Sequence, residues 1–188
     1  MKKPDIILAS QSPRRKQLLE QIGICPFCFP VDIDESKYDS ESPTEYCQRM
    51  ALEKAQVGWK QAKGQAAVIG SDTIVVFQGK TLGKPKDRND ARNTLLLLSN
   101  NTHQVMTAVS IVSENKHKTV MSVSHVEFRK LDLKEINDYI ESNEPMDKAG
   151  SYGIQGIAAV WIKNISGSYS GIMGLPLFET AQLIREMA

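Results

Sequence analysis

What this chain most lacks is an excess of charge of either sign. Lysine and arginine number 23 against 22 aspartates and glutamates, a net of +1 over 188 residues, so no global potential draws in nucleic acid or an anionic membrane. Any anion binding has to be local. Aromatics make up only 6%, and no basic stripe interleaves with them as single-strand binding requires. No apolar run is long enough for a bilayer span, and the start, Met1-Lys2-Lys3-Pro4-Asp5, leads into an apolar stretch too short for a signal peptide. A soluble cytoplasmic protein is expected. The three cysteines are an odd count, which argues against a disulfide framework. There are no internal repeats, and the length suits one domain over residues 1–188 with a substantial core.

Cys25-Pro26-Phe27-Cys28 looks like a redox dithiol. That chemistry needs the first cysteine at a helix N-terminus. Here Gly23 ends a helix ahead of the pair, and Phe27, Phe29 and Val31 alternate as in a strand. Zinc is disfavoured because no second Cys or His pair stands at ligand spacing.

What is present is a mixture of strands and helices. Ile6-Ile7-Leu8 reads as a strand running into a helix from about Arg14 to Ile22, and a second strand is expected from Pro26 to Ile33. An acidic loop follows, Asp32 to Glu41. Ser42-Pro43-Thr44-Glu45 is a capping box with proline at the first helical position, which predicts a long helix from Pro43 to about Ala62. Ala66 to Ile69 and Thr73 to Phe77 read as two strands interrupted by Gly70-Ser71-Asp72-Thr73. Asp87 to Asp90 opens a helix with Leu95 to Leu98 as its core. The alternations Val105 to Ile111 and Val120 to Val126, around Glu114-Asn115-Lys116, predict an antiparallel hairpin. Asp132 and Glu135 start another helix. A glycine-spaced loop runs from Gly150 to Gly156, a strand from Ala159 to Ile165, and a closing helix from Leu177 to Met187. The fold class is α/β, in the mixed α+β sense, with a mixed sheet.

The anion site expected first is the start of the opening helix. Ser10-Gln11-Ser12-Pro13-Arg14-Arg15-Lys16 crowds hydroxyls, amides and cations at a helix N-terminus, where unpaired N–H groups and the dipole favour phosphate. Ser12 is placed to cap that helix. Asp72, read at a strand end, can deprotonate water or hold a divalent cation. Lys84 sits in the stiff Gly83-Lys84-Pro85 stretch, and Lys54 lies on the long helix; both suit phosphate contact. In the 150–156 loop the glycines would let backbone approach a flat ligand, with Tyr152 as an aromatic face and Gln155 as an amide.

Taken in order, these blocks resemble the Maf family of nucleoside triphosphate pyrophosphatases from Ile7 to the final helix. Ser10, Ser12, Arg14 and Arg15 match its first motif, Asp72 its acidic centre, Lys84 its Gly-Lys-Pro stretch, and Gly150 to Gly156 its substrate loop. The resemblance implies an elongated mixed sheet flanked by helices, with two lobes around a cleft. Arg14, Thr73 and Gln155 side with the branch acting on dTTP and UTP, whereas the 7-methyl-GTP branch carries Trp, Gln and Glu. A Gln155 amide both donates and accepts along the edge of uracil or thymine.

The implied reaction converts a pyrimidine nucleoside triphosphate to monophosphate and pyrophosphate. Asp72 would activate water, Glu35 and Asp72 would hold Mg²⁺ or Mn²⁺, and Ser10, Ser12, Arg14, Arg15, Lys54 and Lys84 would bind the triphosphate. The resemblance also implies a homodimer. A different class of reading is a nucleotide-binding regulator of cell division or septum formation without turnover.

Overall fold

The computed structural model of this chain describes residues 6–114 and 116–187. The Met1 to Asp5 start and Asn115 of the expected hairpin turn lie outside them. Seven strands form one mixed sheet: β1 (Ile6–Leu8), β2 (Phe27–Cys28), β3 (Ala67–Phe77), β4 (Lys80–Leu82), β5 (Thr102–Ser113), β6 (Lys116–Phe128) and β7 (Ile162–Ser166). Their order is β2-β1-β3-β5-β6-β7, with β4 beside β3. β1 runs parallel to β2 and β3, whereas β4 is antiparallel to β3 and β7 to β6. The helices are α1 (Pro13–Gln21), α2 (Pro43–Gln61), α3 (Arg88–Leu98), α4 (Leu133–Glu141), α5 (Tyr169–Ile172) and α6 (Leu177–Met187). The mixed α/β class expected from the sequence is the one observed.

The chain divides into two compact units, one of residues 1–72, 107–122 and 174–188, the other of residues 73–106 and 123–173. In the first unit, β1 lies between two parallel neighbours and Ile6, Ile7 and Leu8 are all buried, as strands covered on both faces are. α2 begins as its capping box requires: Ser42 Oγ accepts from Glu45 N–H at 3.2 Å, and the Glu45 carboxylate accepts from Ser42 N–H at 2.8 Å. Its buried face, Cys47, Met50, Ala51, Ala55 and Gly58, is made mostly of small residues.

Small residues are needed because α2 lies close on β3. A Cβ at Gly70 would stand 2.3 Å from Ala51 O and 2.5 Å from Ala55 N. This corrects the expected break at Gly70-Ser71-Asp72-Thr73. β3 runs unbroken through all four residues, and Gly70 marks a close helix–strand approach in place of a turn. Backbone atoms cannot move aside as a side chain would. Gly70→Ala is therefore expected to cost about 3 kcal/mol, the upper end for overpacking, read as a lower midpoint in urea unfolding.

The second unit packs Val75, Phe77, Leu95, Leu98, Phe128, Ile136, Tyr139, Tyr152 and Trp161 into one core. α3 and α4 are capped by the Asp87 and Asp132 carboxylates, each accepting an N–H at 2.8 Å. Two further strands differ from expectation. β2 covers only Phe27–Cys28: Phe29 N–H still donates to Leu8 O at 3.0 Å, but Pro30 has no N–H with which to continue the ladder. β7 starts at Ile162 rather than Ala159, because Ile157–Trp161 winds into a 3₁₀ turn opened by Ala159 N–H donating to Gly156 O at 3.1 Å.

Candidate active site

In the first unit the site grows from the end of β1. Ser10, 9% exposed, turns its hydroxyl inward to accept from Ser12 N–H at 3.1 Å and from Arg15 Nη1 at 3.2 Å. Ser12, expected to cap α1 with its hydroxyl, makes no side-chain capping bond, and no acidic residue stands in the helix's first turn. The Ser10 hydroxyl ties down the turn instead. α1 thus begins with its positive end free of any neutralising carboxylate of its own first turn, a start suited to an external anion. Arg14 is half-buried beside it.

Arg15 reaches across with Nε to donate to Gly174 O at 2.9 Å. The same carbonyl accepts from the Ser71 hydroxyl at 2.9 Å, and that hydroxyl also contacts Ala108 O at 2.9 Å. Burial lowers the Arg15 pKa, opposed by the Asp72 carboxylate. Ser71 is fully buried; strand alternation then turns the next residue, Asp72, to the opposite face.

There, Lys54 from α2 joins two acids. Its Nζ lies 2.7 Å from Asp72 Oδ1 and 2.7 Å from Glu35 Oε1. The Lys54 and Asp72 side chains are 11% and 13% exposed and that of Glu35 is 54% exposed, so the group is open on the Glu35 side. Behind Asp72, Cys47 donates its thiol to Asp72 O at 3.4 Å. Burial first, then the Asp72 charge, pushes the Cys47 thiol up to about 12, which keeps it neutral.

The residues that fix Glu35 were not singled out in the sequence. Tyr46 donates its hydroxyl to Glu35 O at 2.8 Å, and Arg49 Nη2 donates to Ser36 O at 2.9 Å. Arg49 also pairs with Glu41 at 2.6 Å and lies 4.0 Å over the Tyr38 ring. Tyr46, Arg49 and Glu53 follow one another at i, i+3 and i+7 on α2. An arginine on that stripe facing an acidic loop was the available signal.

In the second unit, Lys84 is exposed beside buried Pro85, and Gly150 N–H donates to Gly83 O at 3.0 Å. The lysine's loop and the 150–156 loop are thereby joined. Gln155 is exposed on a turn closed by Gly156 N–H donating to Gly153 O at 3.2 Å. Thr73, half-buried in β3, is the first residue of this unit. Tyr152 needs correction: it is no open aromatic face. It is 6% exposed, its hydroxyl 2.7 Å from His103 Nε2 and its ring edge-on to Phe128 at 4.8 Å. Burial brings His103 down to about 4, so this pair is neutral core.

Of the cysteines, Cys25 and Cys28 are exposed and Cys47 buried, all free. Cys28 lies on the edge strand β2 and Cys25 ahead of it, neither at a helix start, so the helix N-terminus that activates a redox thiol is not at this pair. Among the described residues no three His, Cys, Asp or Glu side chains gather as a metal centre, and no helix is long and apolar enough to cross a membrane.

The comparisons with known proteins bear on the family of the chain. The model of a family described as "Maf-like protein" matches residues 5–187. The chain is 48% identical over 183 residues to a dTTP/UTP pyrophosphatase of Saccharophagus degradans, covering 96% of this chain and 87% of that one. It is also 48% identical to proteins of that name from Pseudoalteromonas translucida, at 96% and 95% coverage, and Vibrio parahaemolyticus, at 96% of both. A solved structure of a Vibrio cholerae protein aligns with a TM-score of 0.43 and 12% identity over 74% of this chain and 78% of its own, too slight a likeness to bear on function. With the ordered motifs and the Lys54-centred acids in place, the family model and these relatives carry one conclusion: the chain belongs to the Maf family.

Proposed function

We propose that this chain hydrolyses dTTP and UTP to the nucleoside monophosphate and pyrophosphate. The observation that carries the reading is the pair of carboxylates converging on Lys54, beside a helix start and Arg15, in a chain 48% identical to proteins named for that reaction. A regulator that binds without turnover is not favoured by either.

In this reading Asp72 takes a proton from the attacking water, whose oxygen forms the new bond to phosphorus while the bond to the leaving pyrophosphate breaks. The α1 amides, Ser10, Ser12 and Arg14 receive phosphate oxygens, and Arg15 keeps that turn in register through Ser10 and Gly174. Lys54 and Lys84 act as point charges on the triphosphate, which carries about four negative charges. The donor set fits a hard divalent cation: two carboxylate oxygens already meet at one positive centre, and phosphate oxygens complete such a shell. Glu35 and Asp72 would hold Mg²⁺ or Mn²⁺, which neutralises charge developing on the phosphates. Arg14, Thr73 and Gln155 are assigned to base choice. We further propose that residues 1–188 act as one catalytic domain, in the cytoplasm and as a homodimer.

The test is pyrophosphate release from UTP, dTTP, CTP and GTP with magnesium. Gln155→Glu is expected to lower kcat/KM for UTP and dTTP by about 10- to 100-fold relative to GTP, because an ionised carboxylate only accepts. An unchanged ranking would move base choice elsewhere.

A further inference from the structure

The turn that presents Gln155 is clamped at its last amide by a carboxylate and at its first by the tyrosine hydroxyl that donates to that carboxylate. Glu144 lies in the 3₁₀ turn Glu144–Asp147 that follows α4. Its Oε2 accepts from Ile157 N–H at 3.2 Å, and its Oε1 accepts from the Tyr139 hydroxyl at 3.0 Å. That hydroxyl in turn accepts from Gly153 N–H at 3.3 Å. The five residues from Gly153 to Ile157 are thus held at their first and last amides, with Gln155 midway. Tyr139 is 2% exposed, and burial first, then Glu144, raises its pKa, so it remains a donor.

The chain also makes room for this acid. A Cβ at Gly156 would fall 1.9 Å from Glu144 Oε1 and 2.3 Å from its Cδ. Any other residue at position 156 displaces the carboxylate. A side chain seated directly under the turn, bonded to its last amide and through the Tyr139 hydroxyl to its first, and making no other side-chain hydrogen bond among the described residues, has the turn's geometry as its task.

We infer that Glu144 is a positioning residue for base selection, fixing the 153–157 turn so that the Gln155 amide meets the pyrimidine edge. This rests on the proposed hydrolysis of pyrimidine triphosphates. Selection by a hydrogen-bonding amide depends on direction as well as identity, and an unclamped turn loses direction first. Without the carboxylate the Ile157 amide turns to water, the Tyr139 hydroxyl that holds Gly153 N–H loses its own acceptor, and Gln155 samples many orientations.

Glu144→Ala is expected to raise KM for UTP about tenfold while kcat at saturation falls less than threefold, and to shrink the UTP-over-GTP ratio of kcat/KM by a similar factor. Glu144→Gln is the partial rescue. Its single amide oxygen can accept from Ile157 N–H or from the Tyr139 hydroxyl, which restores part of the clamp, so selectivity is expected between that of wild type and that of Glu144→Ala. Tyr139→Phe, which removes one hydroxyl, is expected to move the ratio in the same direction as Glu144→Ala and by less. Equal loss for all nucleotides, or an unchanged ratio in both Glu144→Ala and Tyr139→Phe, overturns the inference. A wild-type chain that releases no pyrophosphate from UTP or dTTP overturns the proposed function itself, and this inference with it.

Discussion

Asp72→Asn is expected to lower UTP turnover about a thousandfold, within the range that a positioned general base contributes, with KM nearly unchanged. Asparagine keeps the size of the side chain and an oxygen that can accept from Lys54, so the 2.7 Å contact and the packing of β3 on α2 survive. What is lost is the ability to take a proton, together with one of the two charges that would hold the metal. The melting temperature should stay within a few degrees of wild type, since the substitution opens no cavity and strands no buried donor. Steady-state pyrophosphate release and a thermal melt on the same preparation decide it. Turnover close to wild type would remove Asp72 from the chemistry, and a collapsed melting curve would make the variant uninformative about catalysis and place Asp72 in the fold instead.

Lys54→Met is expected to have the second largest effect, and in two opposite directions. Asp72 and Glu35 would face one another with no cation between them, a repulsion on the order of 3 kcal/mol at an effective dielectric of 20. Catalytic efficiency on UTP should fall by about 100-fold or more, since a point charge on the triphosphate is gone. Affinity of the nucleotide-free protein for Mn²⁺ should rise about tenfold, because the ammonium that competes for the two carboxylates is gone. Mn²⁺ titration followed by electron paramagnetic resonance, without nucleotide, measures the second effect separately from activity. Unchanged Mn²⁺ affinity would deny that Glu35 and Asp72 form the metal pair.

The parts of the fold legible in the sequence are those set by local chemistry. Ser42 with Glu45 and Asp132 with Glu135 announce their helices because each cap is satisfied within four residues. β5 and β6 show their alternation over long runs. The parts that were not legible depend on what lies across the fold. Gly70 reads as a break until the α2 backbone is seen against it. Tyr152 reads as a ligand face until His103, 49 residues distant in sequence, meets its hydroxyl. The site divides in the same way. Asp72, Lys54 and Glu35 could be named as acids and a cation, but that one lysine bridges both acids comes from tertiary packing. Arg49 and Tyr46, which hold the Glu35 loop, carry no motif at all.

The unbroken course of β3 also limits how the chain can change length. Side chains in a strand alternate faces, so an odd insertion or deletion upstream within Ala67–Ser71 exchanges the faces on which Ser71 and Asp72 lie. The carboxylate would then lie on the face of the Ala108 and Gly174 carbonyls that now receive the Ser71 hydroxyl, and the hydroxyl on the face of Lys54. Within this strand evolution is bound to parity.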